Sequence, residues 1–262
     1  RFTGDSIVIL RRMPSKRSAP GVAYAEHWDR IAHRWTAEVF NTLLCARSPV
    51  VREGLTAAAR TSSNIADFGC GIGTYLPLLS RLFDEVHGFE QSPRCVDIAR
   101  KRMRSRKNVK VDVAHRATAS MRNRFDAVLC VNVALHPERG EWHQVLRSMK
   151  AMLRPGGRFL LVVPSLESAA LLTRARRPHI DPLVPAVKHF RPRIRPGVVR
   201  FGGVATKHYS EAELRSELKA LGLTAVRLKK VEYTWRSHGI TPPPALRSEK
   251  PWDWFVSARR ST

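Results

Sequence analysis

The stretch 66-ADFGCGIGTYLPLL-79 decides how the chain is read. A short apolar run, NIADF (64–68), gives way to glycines at Gly69, Gly71 and Gly73, and a second apolar run of helical spacing follows. A strand-to-helix turn this rich in glycine lets backbone approach a ligand closely, and the helix behind it offers unpaired N–H groups. The order G-C-G-I-G-T lacks the G-x-G-x-x-G spacing of a dinucleotide fingerprint, and no G-K-S/T marks a phosphate-binding loop. Glu90 closes the next apolar run, EVHGFE (85–90), 21 residues after Gly69. A carboxylate there is placed to accept hydrogen bonds from a ribose diol. On these residues alone an adenosine-containing cofactor is expected, with NAD and its rivals not distinguished.

Outward from the turn, strands and helices alternate. Residues 74–83 and 93–106 read as helices, and NVKVDV (108–113) as a strand. FDAVLCVNVAL (125–135) and GRFLLVVP (157–164) are nearly continuous apolar runs, as strands buried on both faces should be, with a helix over 140–153 between them. Downstream, 209-YSEAELRSELKALGL-223 carries a capping box in Ser210 and Glu213 and a helix-ending Gly222. TAVRLKKVEYTW (224–235) and PWDWFVSARR (251–260) read as an antiparallel pair. Upstream, Trp28, Ile31, Trp35, Val39 and Leu43 recur at helical spacing, which predicts one long helix, with a shorter one after Pro49. The expected fold is α/β: a doubly wound, mostly parallel seven-stranded sheet with an antiparallel C-terminal strand pair, N-terminal helices and a basic insertion. The expected organisation is a basic N-terminal extension (1–22) and one domain (23–262). That domain divides into a cofactor-binding core (64–164), a proline-rich basic lid or insertion without βα periodicity (165–208), and a C-terminal helix and strands (209–262).

Asp67-Phe-Gly69-Cys-Gly71-Ile-Gly73 resembles the cofactor motif of class I S-adenosylmethionine-dependent methyltransferases. Three further matches arrive in order: Glu90, FDAVLCVNVALH, and LRPGG before the fifth strand. The resemblance implies that Gly69, Gly71 and Gly73 pass beneath the methionine part of S-adenosylmethionine. It further implies that Asp67 orients the loop or meets the amino group through water, and that Glu90 takes the ribose hydroxyls. One position departs from the pattern: Ala114 and His115 stand where relatives usually carry an acid near the adenine amino group, and His115 is expected to hydrogen-bond there instead.

A sulfonium is already an activated methyl donor, so in-line positioning and at most one base are required. Asn132 and His136 fall at the mouth of the fourth strand and are the candidate catalytic residues. His136 is the one plausible base there, and reads equally well as a helix-cap histidine before Pro137. The chain has no NPPY or DPPY motif of exocyclic-amine enzymes and no Pro-Cys or Thr-Cys pair for attack on cytosine. Trp142, Trp235, Trp252 and Trp254 are expected in the core rather than stacked on bases. Cys45, Cys70, Cys95 and Cys130 form no CxxC pair, so free thiols in a reducing compartment are expected and a metal site is not.

The net charge of +24, from 46 Lys plus Arg against 22 Asp plus Glu, is more than a metabolite enzyme requires. Eight basic residues against Asp97 lie between Arg94 and Lys110, and nine against Asp181 between Leu171 and Ser210. The second group supplies the candidate RNA contacts Arg174, Arg176, Arg177, Lys188, Arg191, Arg193, Arg195 and Arg200. A polyanion, RNA or a ribonucleoprotein, is therefore the expected partner. No apolar run approaches the roughly 20 residues of a membrane-spanning helix, so the expectation is a soluble intracellular chain. The basic opening suits the remnant of a mitochondrial extension. Three functions remain open: an RNA-associated, ribosome-linked methyltransferase; a small-molecule methyltransferase; and a catalytically impaired relative kept as an RNA-binding assembly factor.

Overall fold

In a computed structural model, residues 20–114, 119–176, 197–201 and 204–262 are described. The chain enters through helical pieces: α1 (Pro20–Ile31), a 3-10 turn over Ala32–Arg34, α2 (Trp35–Glu38), α3 (Thr42–Cys45) and α4 (Val50–Ala59). The single long helix expected upstream of Pro49 is thus broken. Val39 is extended at φ −115° and ψ 125°, and Asn41 starts a new helix by accepting the Leu44 N–H at 3.0 Å. β-Branching at Val39 and a capping side chain two residues on outweigh the apolar periodicity. The break also folds Trp28, Trp35 and Phe40 back over one cavity instead of spacing them along a rod.

β1 (Asn64–Phe68), α5 (Leu76–Leu82), β2 (Glu85–Glu90), α6 (Pro93–Met103), β3 (Val109–Val113), β4 (Phe125–Val131), α7 (Arg139–Met152) and β5 (Leu153–Pro164) then alternate as the sequence predicts. After β5 come α8 (Leu166–Ala175), the hairpin β6 (Val198–Phe201) and β7 (Val204–Lys207), α9 (Glu211–Ala220), β8 (Leu223–Glu232) and β9 (Trp252–Arg260). The order across the main sheet is β3-β2-β1-β4-β5-β9-β8. The first five strands are parallel, and β9 runs against both β5 and β8. β4 lies buried in the middle, and its residues alternate faces. Val128 and Cys130 join the core packed under α7 and α9, while Ala127 and Leu129 join the core under α4, α5 and α6. Because β1 has β2 on one side and β4 on the other, the chain reverses direction across the sheet there, and a crevice opens at the carboxyl ends of both strands.

Both described ends of the 165–208 segment are built into the fold. Ser165 caps α8 by accepting the Ser168 N–H at 3.0 Å, and Leu171, Leu172 and Ala175 pack with Trp235 and Leu246. At its far end Lys207 N donates to Leu135 O at 2.8 Å, which ties β7 to the exit of β4. No described helix is long and apolar enough to cross a membrane.

Candidate functional site

A cavity of about 180 Å³ opens at that crevice and runs from the glycine turn to the exit of β4. Gly69 and Gly71 take positive φ, 81° and 55°, which side-chain-bearing residues rarely adopt. A Cβ on Gly69 would strike Val133, and one on Gly71 would lie 2.5 Å from the Trp35 ring. The turn is anchored by Phe89 O, which accepts the N–H groups of Gly69 at 2.7 Å and Cys70 at 3.0 Å.

The two carboxylates singled out from the sequence meet here, both buried and both lining the cavity. Glu90 is held by backbone: Oε2 accepts Gly71 N–H at 2.9 Å and Oε1 accepts Ser92 N–H at 3.0 Å. Each oxygen keeps a second lone pair, as two diol hydroxyls require. Burial raises the Glu90 carboxyl while these N–H groups oppose the rise. Asp67 differs, because its Oδ2 is buried without a hydrogen-bond partner among the described residues. Burial, then repulsion from Glu90, lifts this carboxyl to about 7. A buried carboxylate with an unused oxygen is a costly arrangement that a bound cation or N–H donor relieves. Positive-φ glycines, a backbone-held Glu90 and a waiting Asp67 together fit the sugar and amino-acid ends of S-adenosylmethionine.

Sequence reasoning missed the roof of this half. Trp28 and Trp35 line the cavity, their ring centroids 5.4 Å apart. α1 is pinned beside Glu90 by Asp29, whose Oδ1 accepts Ser92 Oγ–H and, at 3.1 Å, Arg94 N–H. Both tryptophans read as the apolar stripe of one helix, and only the break after α2 shows that they line the cavity.

The other half is built around the exit of β4. Asn132 stands at φ 55° with its N–H donating to Val162 O at 2.9 Å and its Nδ2 to Thr42 Oγ1 at 3.1 Å. The Asp253 carboxylate accepts Tyr233 Oη–H at 2.7 Å; burial raises its pKa to about 6, against which Tyr233 and the nearby Asn132 amide work. Tyr75 Oη and Asn132 Oδ1 are buried without a described partner. Nothing in the sequence pointed to Thr42 or Tyr75, which become polar lining only through tertiary contacts, or to Asp253, which stands behind the lining.

His136 also lines the cavity, and its Nδ1 accepts the Glu138 N–H at 3.0 Å. A neutral ring so held carries its proton on Nε2, and burial lowers its pKa further. The Nδ1 lone pair that a base could use is thus engaged by the Glu138 backbone. His115 lies outside the described residues, although Ala114 beside it does line the cavity.

The structure describes only part of the expected basic surface. Arg174 and Arg176 are exposed on and just after α8, and Arg200 lies in β6, while Arg177, Lys188, Arg191, Arg193 and Arg195 fall outside the described residues. Lys207, counted in that basic stretch from sequence, is buried and committed to Glu213 at 2.6 and 2.7 Å beneath Trp142 and Tyr209. In the other stretch Arg100 and Arg102 are engaged by Val111 O and Ile72 O. Trp142, Trp235 and Trp254 are buried, as expected of core residues, whereas Trp252 is half-buried with Lys230 Nζ 3.9 Å from its ring centroid.

Comparison with known proteins bears on the family and the fold. A family model described as a methyltransferase domain matches residues 28–228. No curated protein matches in sequence. Among solved structures, a 1,6-didemethyltoxoflavin-N1-methyltransferase of Burkholderia thailandensis, with bound substrate and S-adenosylhomocysteine, superposes with TM-score 0.59 at 16% identity, covering 95% of this chain and 93% of its own. A DhpI–SAM–HEP complex gives TM-score 0.59 at 16% identity over 92% of this chain and 99% of that one. A putative methyltransferase of Haloferax volcanii, in complex with the Trm112 activator, gives 0.59 at 14% over 90% and 96%. At such identities these likenesses establish the fold.

Proposed function

The chain belongs to the methyltransferase-domain family, and on that premise we propose that it methylates a small acceptor held in the cavity beneath Trp28, Trp35 and Phe40. S-adenosylmethionine is the cofactor: when bound, it supplies an activated methyl group and leaves as S-adenosylhomocysteine. Glu90 would hold the ribose diol, Asp67 Oδ2 the amino group, and the glycine turn the backbone beneath the methionine part. The observation that carries the small-acceptor reading is continuity. One cavity joins the glycine turn to Asn132 and His136, so an acceptor at the exit of β4 shares a roofed space with the cofactor. Trp28, Trp35 and Phe40 exclude water above it, which favours transfer to the acceptor over loss to solvent. His136 lines the acceptor end of the cavity, and the proton released by the acceptor passes to solvent or buffer. Two of the solved structures named above carry small molecules, which supports the reading by analogy of fold.

The second reading, an RNA-associated enzyme, is favoured by Arg94, Lys101, Arg104, Lys107 and Lys110, all exposed, and by the basic residues of 174–200. In it a nucleobase would enter the same cavity. Incubation with methyl-labelled cofactor and a cell extract separated into small molecules and RNA tests both. Label in the small-molecule fraction supports the first reading, and label confined to RNA replaces it with the second.

A further inference from the structure

We propose that the methyl acceptor is a protic, non-anionic group, a hydroxyl or an amine, which donates a hydrogen bond to Asn132 Oδ1. This rests on the methyl-transfer reading of the cavity and names the chemistry of its acceptor. Asn132 is fixed from three sides. Its left-handed backbone sits at φ 55°, its N–H is bound to Val162 O, and its side-chain Nδ2 donates to Thr42 Oγ1, with the Asp253 carboxylate close by. A carboxylate attracts donors, so the nearby Asp253, itself held by Tyr233 Oη–H at 2.7 Å, favours the amide arrangement in which the NH2 bonds Thr42 and Oδ1 turns away. That choice leaves Oδ1 as a buried, acceptor-only atom with no partner among the described residues. The Tyr75 hydroxyl, which can donate or accept, is a second buried lining atom without a partner among the described residues, and it feels the charge of both Asp67 and Asp253.

The charge of the lining points the same way. In a chain of net charge +24, the described lining contains no Lys or Arg, whereas Asp67, Glu90 and Glu141 belong to it and Asp253 stands directly behind Asn132. An acceptor that reacts through a carboxylate or phosphate oxygen would enter this acidic enclosure with no cation to meet it and would face a carbonyl oxygen at Asn132. A hydroxyl or amine satisfies Oδ1 with its hydrogen and keeps a lone pair for the methyl group. Asn132 is therefore a specificity-determining residue, and Asp253 is a positioning residue that acts through it.

The test is binding of three matched probes, phenol, aniline and benzoate, to the protein saturated with S-adenosylhomocysteine, followed by saturation-transfer NMR. Phenol and aniline should bind and benzoate should not. Asn132→Gly, which tolerates the left-handed backbone, should weaken phenol by about fivefold to tenfold, the value of one hydrogen bond. Asp253→Asn should weaken it in the same direction by freeing the amide to turn. Calorimetry with S-adenosylhomocysteine should show undiminished affinity in both variants. Benzoate binding as tightly as phenol, absence of phenol and aniline binding, or unchanged phenol affinity in both variants overturns the proposal. If the wild-type protein fails to bind the cofactor product at all, the methyl-transfer reading itself falls, which keeps the two failures distinct.

Discussion

Asp67→Asn should make the cofactor-free protein more stable and its cofactor complex weaker. Burial and Glu90 raise this carboxyl to about 7, from an ordinary 3.8. Because the folded state prefers the protonated form, the contribution of Asp67 to stability is complete below 3.8 and is lost as pH rises through about 7. The gap of about three pH units corresponds to about 4 kcal/mol for holding the group ionised in the fold. Asparagine has the same shape and no such cost. Urea denaturation of the cofactor-free protein should find variant and wild type nearly equal at about pH 3, and the variant more stable by about 2 kcal/mol at pH 5 and about 4 kcal/mol at pH 8. The same change removes the carboxylate from the unpartnered Oδ2, so calorimetry should show cofactor affinity falling by about tenfold or more. Equal stabilities at pH 8, or a difference that does not vary with pH, would refute the claim that Asp67 is an ionisable group reserved for a ligand.

Glu90→Ala removes both acceptors offered to the ribose diol and frees the N–H groups of Gly71 and Ser92; cofactor binding should weaken by about 1–3 kcal/mol on calorimetry of the folded variant. Gly71→Val puts a branched side chain at φ 55° against Trp35, so cofactor binding should vanish and tryptophan fluorescence should report the displaced ring. Tyr209→Phe deletes the 2.6 Å bond to Ala134 O and should cost about 1–3 kcal/mol in chemical denaturation. If RNA is the partner, neutralising Arg191, Arg193, Arg195 and Arg200 should flatten the salt dependence of RNA binding by about 0.7–0.9 log units per lost contact. An identical slope in wild type and variant removes that surface from the RNA reading.

The cofactor half was legible in the sequence because its chemistry is local. Asp67, three glycines and Glu90 lie at the ends of two consecutive strands, where spacing and strand period alone bring them together. The sheet was legible for the same reason: β1 to β5 follow βα alternation, and β8 and β9 follow as the expected antiparallel pair. The acceptor half was hidden because its members come from distant elements. Thr42, Tyr75, Asn132 and Asp253 belong to α3, the entry to α5, the exit of β4 and β9, and no periodicity links them. The N-terminal helices misled in a different way. Trp28 and Trp35 keep helical spacing, but extended Val39 and the Asn41 cap decide where the rod bends. For charge, counting Lys and Arg could not show that Lys207 is spent on Glu213 inside the fold. Nor could it show that a strongly basic chain builds a described cavity lining whose ionisable groups are largely acidic.

Calorimetric titration of S-adenosylmethionine into the folded wild-type protein tests the central claim most directly. The account predicts saturable one-to-one binding that S-adenosylhomocysteine competes for and that Glu90→Ala weakens. No heat of binding at millimolar cofactor, or binding that Glu90→Ala leaves unchanged, would contradict it.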